Sequence, residues 1–438
     1  VRVNTTLPGL KTKLVQSASL KVLESTGITD DVAQTQVSLD NPFTSPISIT
    51  HIVSNVTSHG LFLASLDTDT QYDASGKGIS KSPLMNLHIN LFPPDLFALV
   101  RRYALNAGES VEQLDGIMKI GGYTYSETTD ANTQPTGSSG NQRRYIEDKE
   151  TGPETLEERE RALVKRKQNM YTNFNIANFV DKAFTKAAVD LDIVSTASIG
   201  DYETKLSFVQ SDVKLETDDS LHLLLPVLAK PIVQKIVDGA VLVVKRVTIL
   251  NPQQKSFITR LIGSITNSGP FDATISFPDG LQVSWNNKVL GQIKMPDIKL
   301  EADEGAQLNL SADFAVADVD ALTEFTKFLV TEPSFIWTIQ GQNLAISALG
   351  ITVKGVSISK NVILTGLNGL KNDVKVLDYD LPSNDPAGGI HLMAQSQVVN
   401  PAQVGIELSR FGISIWSNGT NLGPAYAQRQ FTLAPLSE

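Results

Sequence analysis

Five histidines, His51, His59, His88, His222 and His391, are the side chains best suited to chemistry in a chain without cysteine. None stands in a His-Glu-x-x-His pair, the spacing that sets two imidazoles and a general base on one helix face. Without cysteine there is no thiol nucleophile, no disulfide and no Cys-ligated zinc. His51 and His59 read as strand-surface or turn residues. Asp67-x-Asp69-x-x-x-Asp73 superficially suits calcium, but it lacks the glycine and the closing glutamate of an EF-hand loop. Gly76-Lys77-Gly78 reads as a turn; no Walker loop, Gly-x-Gly-x-x-Gly or Gly-x-Ser-x-Gly elbow follows a strand. Asp318 and Asp320 fit a helix N-terminus, where the helix dipole favours negative charge. The reading is therefore of a non-enzyme with no catalytic residue, no metal ligand and no cofactor. Four Asn-x-Ser/Thr sequons occur, at Asn4, Asn55, Asn309 and Asn418; Asn55, Asn309 and Asn418 are candidates for glycosylation, and Asn418 falls in a predicted hairpin turn.

The elements that would position any site come next. The 438 residues are 41% hydrophobic and 19% charged, enough apolar residues for sizeable cores and two to four domains. A net charge of −10 argues against nucleic acid as a partner. No signal peptide or membrane span is expected. The most apolar region, 221–250, is interrupted by prolines and charges, and an uncharged run there is too short for a bilayer. Membrane association would have to come from a segment outside this chain.

Alternation and turn signals divide the chain into four parts. Residues 1–125 read as one β module with a helix over 94–106, opened by Pro93-Pro94. Residues 126–170 are polar and then densely charged in both signs, as in a linker with a solvated helix over 156–170. Residues 171–365 read as a second module. It holds a hairpin at Ile199-Gly200-Asp201 and a helix over 218–238 that Pro231 should kink or break. Strands at Ala273-x-Ile275-x-Phe277 and Leu281-x-Val283-x-Trp285 alternate, and a further helix covers 318–331. Residues 366–438 restart the pattern as a partial third module.

The restart is a repeat. Leu7-Pro8-Gly9-Leu10-Lys11 returns as Leu367-Asn368-Gly369-Leu370-Lys371. Asn41-Pro42, Asn267 with Pro270, and Asn400-Pro401 each end a strand. Proline stops ladder pairing, and the Asn side chain can bond nearby backbone. Trp285 and Trp416 stand equally far from Pro270 and Pro401. Trp416, however, is out of phase with its own strand, which calls for a bulge or a one-residue gap.

Val398-Val399-Asn400-Pro401, Ile413-Ser414-Ile415-Trp416 and Asn421-Leu422-Gly423 resemble the late-embryogenesis-abundant type 2 (WHy) β-sandwich. The 265–291 stretch is similar to a related fungal domain of unknown function found in vacuolar-type membrane proteins, including those linked to termination of autophagy. The resemblance implies tandem immunoglobulin- or fibronectin-like antiparallel β-sandwiches, each with a packed helix. It also implies a lumenal place beside a vacuolar membrane and brings no catalytic residues. The function expected is a structural or recognition array with a protein partner or self-association. One alternative is a lipid or apolar-ligand carrier, in which the 221–236 helical stripe encloses a cavity against a sheet. Another is an enzyme whose site is assembled between modules.

Overall fold

The structure is a computed structural model and describes residues 13–123, 170–371, 373–384, 388–408, 412–427 and 430–436. The Leu7–Lys11 lead-in, the Asn4 sequon and the helix expected over 156–170 fall outside the described residues, except for Met170 at the end of that helix. The chain is mainly β, in sandwich-like modules with a few helices. It divides into two compact units. The first is 1–232 with 349–353; the second is 233–348 with 354–438.

The first unit runs β1 (Val15–Val22), β2 (Val32–Asn41), β3 (Ile47–Ser58), β4 (Leu61–Ala74), β5 (Gly78–Lys81) and β6 (Met85–Ile89). Helices α1 (Pro93–Ala107), α2 (Glu112–Gly121) and α3 (Ile176–Phe184) follow, then β7 (Ala188–Ile199) and β8 (Tyr202–Thr217). The strand order is β1-β8-β7-β3-β4-β6-β2-β5, and a further β1–β2 pairing brings the sheet back to its start. Seven strands thus form a closed ring, with β5 attached to β2. Period-two patterning aims one face inward. On β6, Met85, Leu87 and Ile89 are buried while Asn86 and His88 are exposed. The seam is β1 against β8, parallel from Ser17↔Lys214 to Leu20↔Thr217. Gln210 clasps it: its Oε1 accepts from the amides of Leu14 and Val15, at 2.9 and 3.0 Å.

α1 starts at its two prolines and ends at Gly108, whose φ of 88° turns the chain left-handed. It buries Phe97, Leu99, Val100, Tyr103 and Ala104. The hairpin expected to open a second module is β7–β8, and it belongs instead to the first sheet: β7 pairs β3 from Ser48↔Ser198 to Thr57↔Asp190. Alternation reveals which face a strand buries, not which strand it joins.

The boundary between the units falls within α4 (Leu224–Gly239), which follows a 3-10 turn at Asp219–Leu223. α4 runs on through Pro231, so of the kink or break expected there the break does not occur. Proline removes a single intrahelical bond, and Leu228, Ile232 and Val237 stay buried on either side of it. Over 219–239 the segment is also long and apolar enough, by length and composition, to cross a membrane, contrary to the expectation from its interruptions; 39% of its most apolar window is buried inside the molecule.

The second unit holds β9 (Val241–Leu250), β10 (Ser256–Thr266), β11 (Ala273–Ser276), β12 (Leu281–Trp285), β13 (Lys288–Lys294), β14 (Ile298–Leu300) and β15 (Ala306–Val316). Then come α5 (Val319–Thr331), β16 (Ser334–Ala348), most of β17 (Ile351–Thr365), β18 (Val374–Asn384) and β19 (Ile390–Val398). β20 (Val404–Leu408), β21 (Gly412–Ser417), β22 (Thr420–Tyr426) and β23 (Phe431–Leu433) complete it. Asp318 caps α5 by accepting from the Ala321 amide at 2.9 Å. Its core is aromatic: Trp285 packs on Phe325 and Phe328 of α5 with ring centroids 5.6 and 5.0 Å apart. Phe335 and Trp337 close around Phe325 at 5.2 and 5.7 Å.

The pairings expose three copies of one hairpin. β3–β4 slips between Val56↔Ala64 and Thr57↔Phe62. β12–β13 slips between Val283↔Gly291 and Ser284↔Val289. β21–β22 slips between Ile415↔Gly423 and Trp416↔Asn421. Each leaves one extra leucine, Leu63, Leu290 or Leu422, as a bulge. This register equates Trp416 with Ser284 and Thr57, not with Trp285. Trp285 is matched by Ser58 and Ser417. The one-residue gap that the phase demanded is therefore real, and the two tryptophans are not equivalent.

The Asn-Pro strand ends also separate. Asn41 and Asn400 are fully buried. The amide of each reaches a carbonyl four residues on, Ser45 at 2.9 Å and Val404 at 3.1 Å. Each Oδ1 accepts from the amide two residues on. Asn267 instead reaches back to Gly239 O at 2.7 Å, with a φ of 55°.

Candidate ligand cavity in the first unit

The inward faces of the closed ring do not meet. They leave a cavity of about 350 Å³, within the range of about 300–1,000 Å³ usual for ligand pockets. Strand residues such as Ile49, Leu66, Leu87 and Leu191 supply its walls. Leu99 and Val100 of α1 and Val180 and Phe184 of α3 also line it. Leu221, Leu224, Leu225 and Leu228, from the first part of the helical stripe, line it as well; Ile232 and Ile236 are not among its lining residues.

Among the described residues no charged side chain lines the cavity. Most of its hydroxyls serve the backbone. Thr35 Oγ1 donates to Ser19 O at 2.7 Å, Ser82 Oγ to Pro83 O at 2.8 Å, and Tyr72 Oη to Ser80 O at 2.6 Å. Burial pushes the Tyr72 phenol up, against the bond to Ser80. Ser54 is different. It sits on β3 between Leu66 and Ile193 in the ladder. Its Oγ is buried, lines the cavity and has no hydrogen-bond partner among the described residues. Sequence reading passed over Ser54. The signal was a serine on the inward phase of Ile52-x-Ser54-x-Val56.

The other candidates lie on the surface. His51 (β3) faces Asp69 at 2.8 Å and Asp67 at 3.4 Å (β4), so the supposed calcium spacing lies on a strand and holds an imidazole. His88 pairs with Asp31 at 2.9 Å and His222 with Asp181 at 2.7 Å. The His88 hydrogen bond holds the Asp31 carboxyl below the usual range, opposed by a smaller desolvation. The Ser220 hydrogen bond likewise holds the Asp218 carboxyl below the usual range. Among the described residues no group of three or more His, Asp or Glu could hold a metal. Asn55, Asn309 and Asn418 are all exposed, Asn418 in the β21–β22 turn. In the second unit a wider depression of about 620 Å³ is bordered by Asp279, Lys294 and Asp313. It is shallow and of mixed charge, so its larger volume does not make it the better site.

Fold and cavity together define a class: tandem, mainly β modules, the first of them hollow and apolar. A family model described as a protein of unknown function (DUF3712) matches residues 288–415. The match runs from β13 into β21, through the end of the second copy and the start of the third. No curated protein matches the chain.

Proposed function

We propose that the first unit binds an uncharged apolar ligand, such as a lipid, inside its closed sheet, and that the chain is a binding module. The observation that carries this is the cavity. An unfilled void of about 350 Å³ would cost on the order of 8 kcal/mol at ~24 cal/mol per Å³. That is comparable with the whole stability of a domain, about 5–15 kcal/mol. A ligand occupying the space offsets the cost. Because no charge lines the wall among the described residues, an ionised group there would be desolvated without compensation. The ligand is therefore neutral, or keeps its charged end outside. Ser54 Oγ supplies a place for one hydroxyl or carbonyl of the ligand.

Native mass spectrometry of gently purified protein tests the reading. Bound mass in the lipid range is expected, and it should disappear in Ala64→Phe, with thermal melts showing that the variant is folded. Repeated clean apo mass for the unmodified chain would sink the proposal.

A recognition role alongside binding is supported by the three-copy architecture and by exposed apolar strands in β18–β19. Kinship with the type 2 late-embryogenesis-abundant sandwiches and with the fungal vacuolar proteins is part of the same proposal, as is a membrane-anchored, lumenal setting. Exposed Asn55, Asn309 and Asn418 support the setting. Glycosidase treatment of chain made in a secretory host should then lower its mass.

A further inference from the structure

The apolar wall of the cavity carries one polar spot, and its place on the wall specifies the ligand. Ser19, Thr35, Tyr72 and Ser82 line the cavity, but their hydroxyls donate to backbone carbonyls, Ser19 Oγ to Gln36 O at 3.3 Å. Ser207 also lines it and is exposed. Ser54 and Ser195 remain, on the paired strands β3 and β7, at 5% and 4% exposure. In the ladder Ser54 stands opposite Ile193 and Ser195 opposite Ile52. The two serines are therefore diagonal neighbours on one face, at a backbone spacing of about 7–8 Å. One small polar group set between them reaches both hydroxyls.

The spot does not lie at an end of the wall. Along β3, Ile49 and Ile52 line the cavity on one side of Ser54 and Val56 on the other. Along β7, Leu191 and Ile193 precede Ser195. A ligand oxygen held here has apolar chain to both sides, which a terminal headgroup lacks and an in-chain carbonyl has. A carbonyl oxygen carries two lone pairs and no proton, so it accepts from both serines and brings no donor of its own. Ser54 Oγ, buried without a partner among the described residues, thereby gains its missing bond. Volume sets the number of chains. At about 30 Å³ for each water-sized group, about 350 Å³ takes roughly a dozen methylenes. A sterol or a two-chain lipid exceeds that.

We infer that the ligand is a neutral single-chain lipid with an in-chain carbonyl, as in a fatty ester, and that Ser54 and Ser195 select it by that carbonyl. The inference rests on the binding function proposed above and assigns its ligand class. The remaining wall supplies affinity without choosing among apolar chains, since contacts between apolar groups are non-directional.

The test sets an ester against a compound of similar size without a carbonyl. The full chain is unfolded and refolded in an equal mixture of ethyl decanoate and 1-chlorododecane, so that the interior is open to both. Matching far-UV circular dichroism verifies refolding, and bound compounds are extracted and measured by gas chromatography. The unmodified chain should be enriched in the ester. Ser54→Ala and Ser195→Ala should each lower the bound ester-to-chloroalkane ratio by about three- to tenfold, the worth of one neutral hydrogen bond. The total bound should hold steady, because neither change narrows the cavity. Ser54→Ala removes a hydroxyl that lacks a partner, so without ligand it should melt no lower than the unmodified chain. That control separates lost selection from lost folding. An unchanged ratio in either variant, with ligand still bound, would overturn the inference and leave the binding function standing. Uptake of neither compound by the refolded chain would overturn both.

Discussion

The first and second copies share a hairpin, a bulge and a packed helix, yet one encloses a cavity of about 350 Å³ and the other packs an aromatic cluster. The register locates the difference. Where the second copy has Trp285, the first has Ser58. Where Phe325 and Phe328 of α5 meet that tryptophan, Tyr103 of α1 stands 2.9 Å from Ser58 Oγ and 2.8 Å from Ala188 O. A polar clasp holds the helix in the first copy and an aromatic cluster in the second. Only the cluster needs the interior volume. One scaffold thus carries either an aromatic cluster or a hollow interior, according to which side chain ends the first arm of its hairpin.

Removing the cluster should produce the largest effect. Trp285→Ala is expected to cost about 3–5 kcal/mol, read as a lower urea midpoint for the second unit. A loss below about 1 kcal/mol would mean that the second copy is not held by its aromatic core. Enlarging a small core residue should separate the copies. Ala312→Leu overfills the second unit and should cost about 1–3 kcal/mol. Ala64→Leu grows into the cavity and should be neutral or stabilising in ligand-free protein. Equal losses in the two would break the comparison.

The polar clasp carries a pH signature. Burial, more than the opposing bond to Ser58, raises the Tyr103 phenol to about 12. The folded state therefore holds this proton more tightly than the unfolded one. Its contribution is fully present below about pH 10 and is lost as pH rises towards about 12. Tyr103→Phe should flatten the alkaline unfolding curve in that window and cost about 1 kcal/mol at neutral pH. The smallest effect belongs to Asp31. Its folded value is depressed, so its contribution is present above the ordinary carboxylate range and fades as pH falls through the folded value. Asp31→Asn should remove that acid-side slope at a cost under about 1 kcal/mol, since both partners are solvent-exposed.

Much of this was readable from residue order. Pro93-Pro94 opened α1, Asp318 capped α5, and the three Asn-Pro marks found three strand ends. The tryptophan phase problem anticipated the bulge. The destination of β7–β8 was not readable, because its alternation fits either sheet, and helices α2 and α3 went unnoticed. The cavity depends on how far apart the walls stand, and no local pattern encodes that distance. Of the site itself, the 221–236 stripe was legible as a helical face packed on a sheet, with a cavity wall only as the alternative, whereas Ser54 looked like any strand serine.

The seam between β1 and β8 also governs timing. Leu14 and Gln210, which it brings together, are 196 positions apart in sequence. Loop-closure entropy makes such distant pairings late events, and the neighbouring hairpins form on much shorter timescales. On the ribosome, β1 can pair with β2 early but must wait for nearly the whole first unit to emerge before its second partner, β8, exists. The ring therefore stays unzipped along this line through most of its synthesis. Under the binding function proposed above, a ligand present at the site of synthesis would settle among the growing walls and be shut in when the last strand docks. Loading during biogenesis then needs no door in the finished protein.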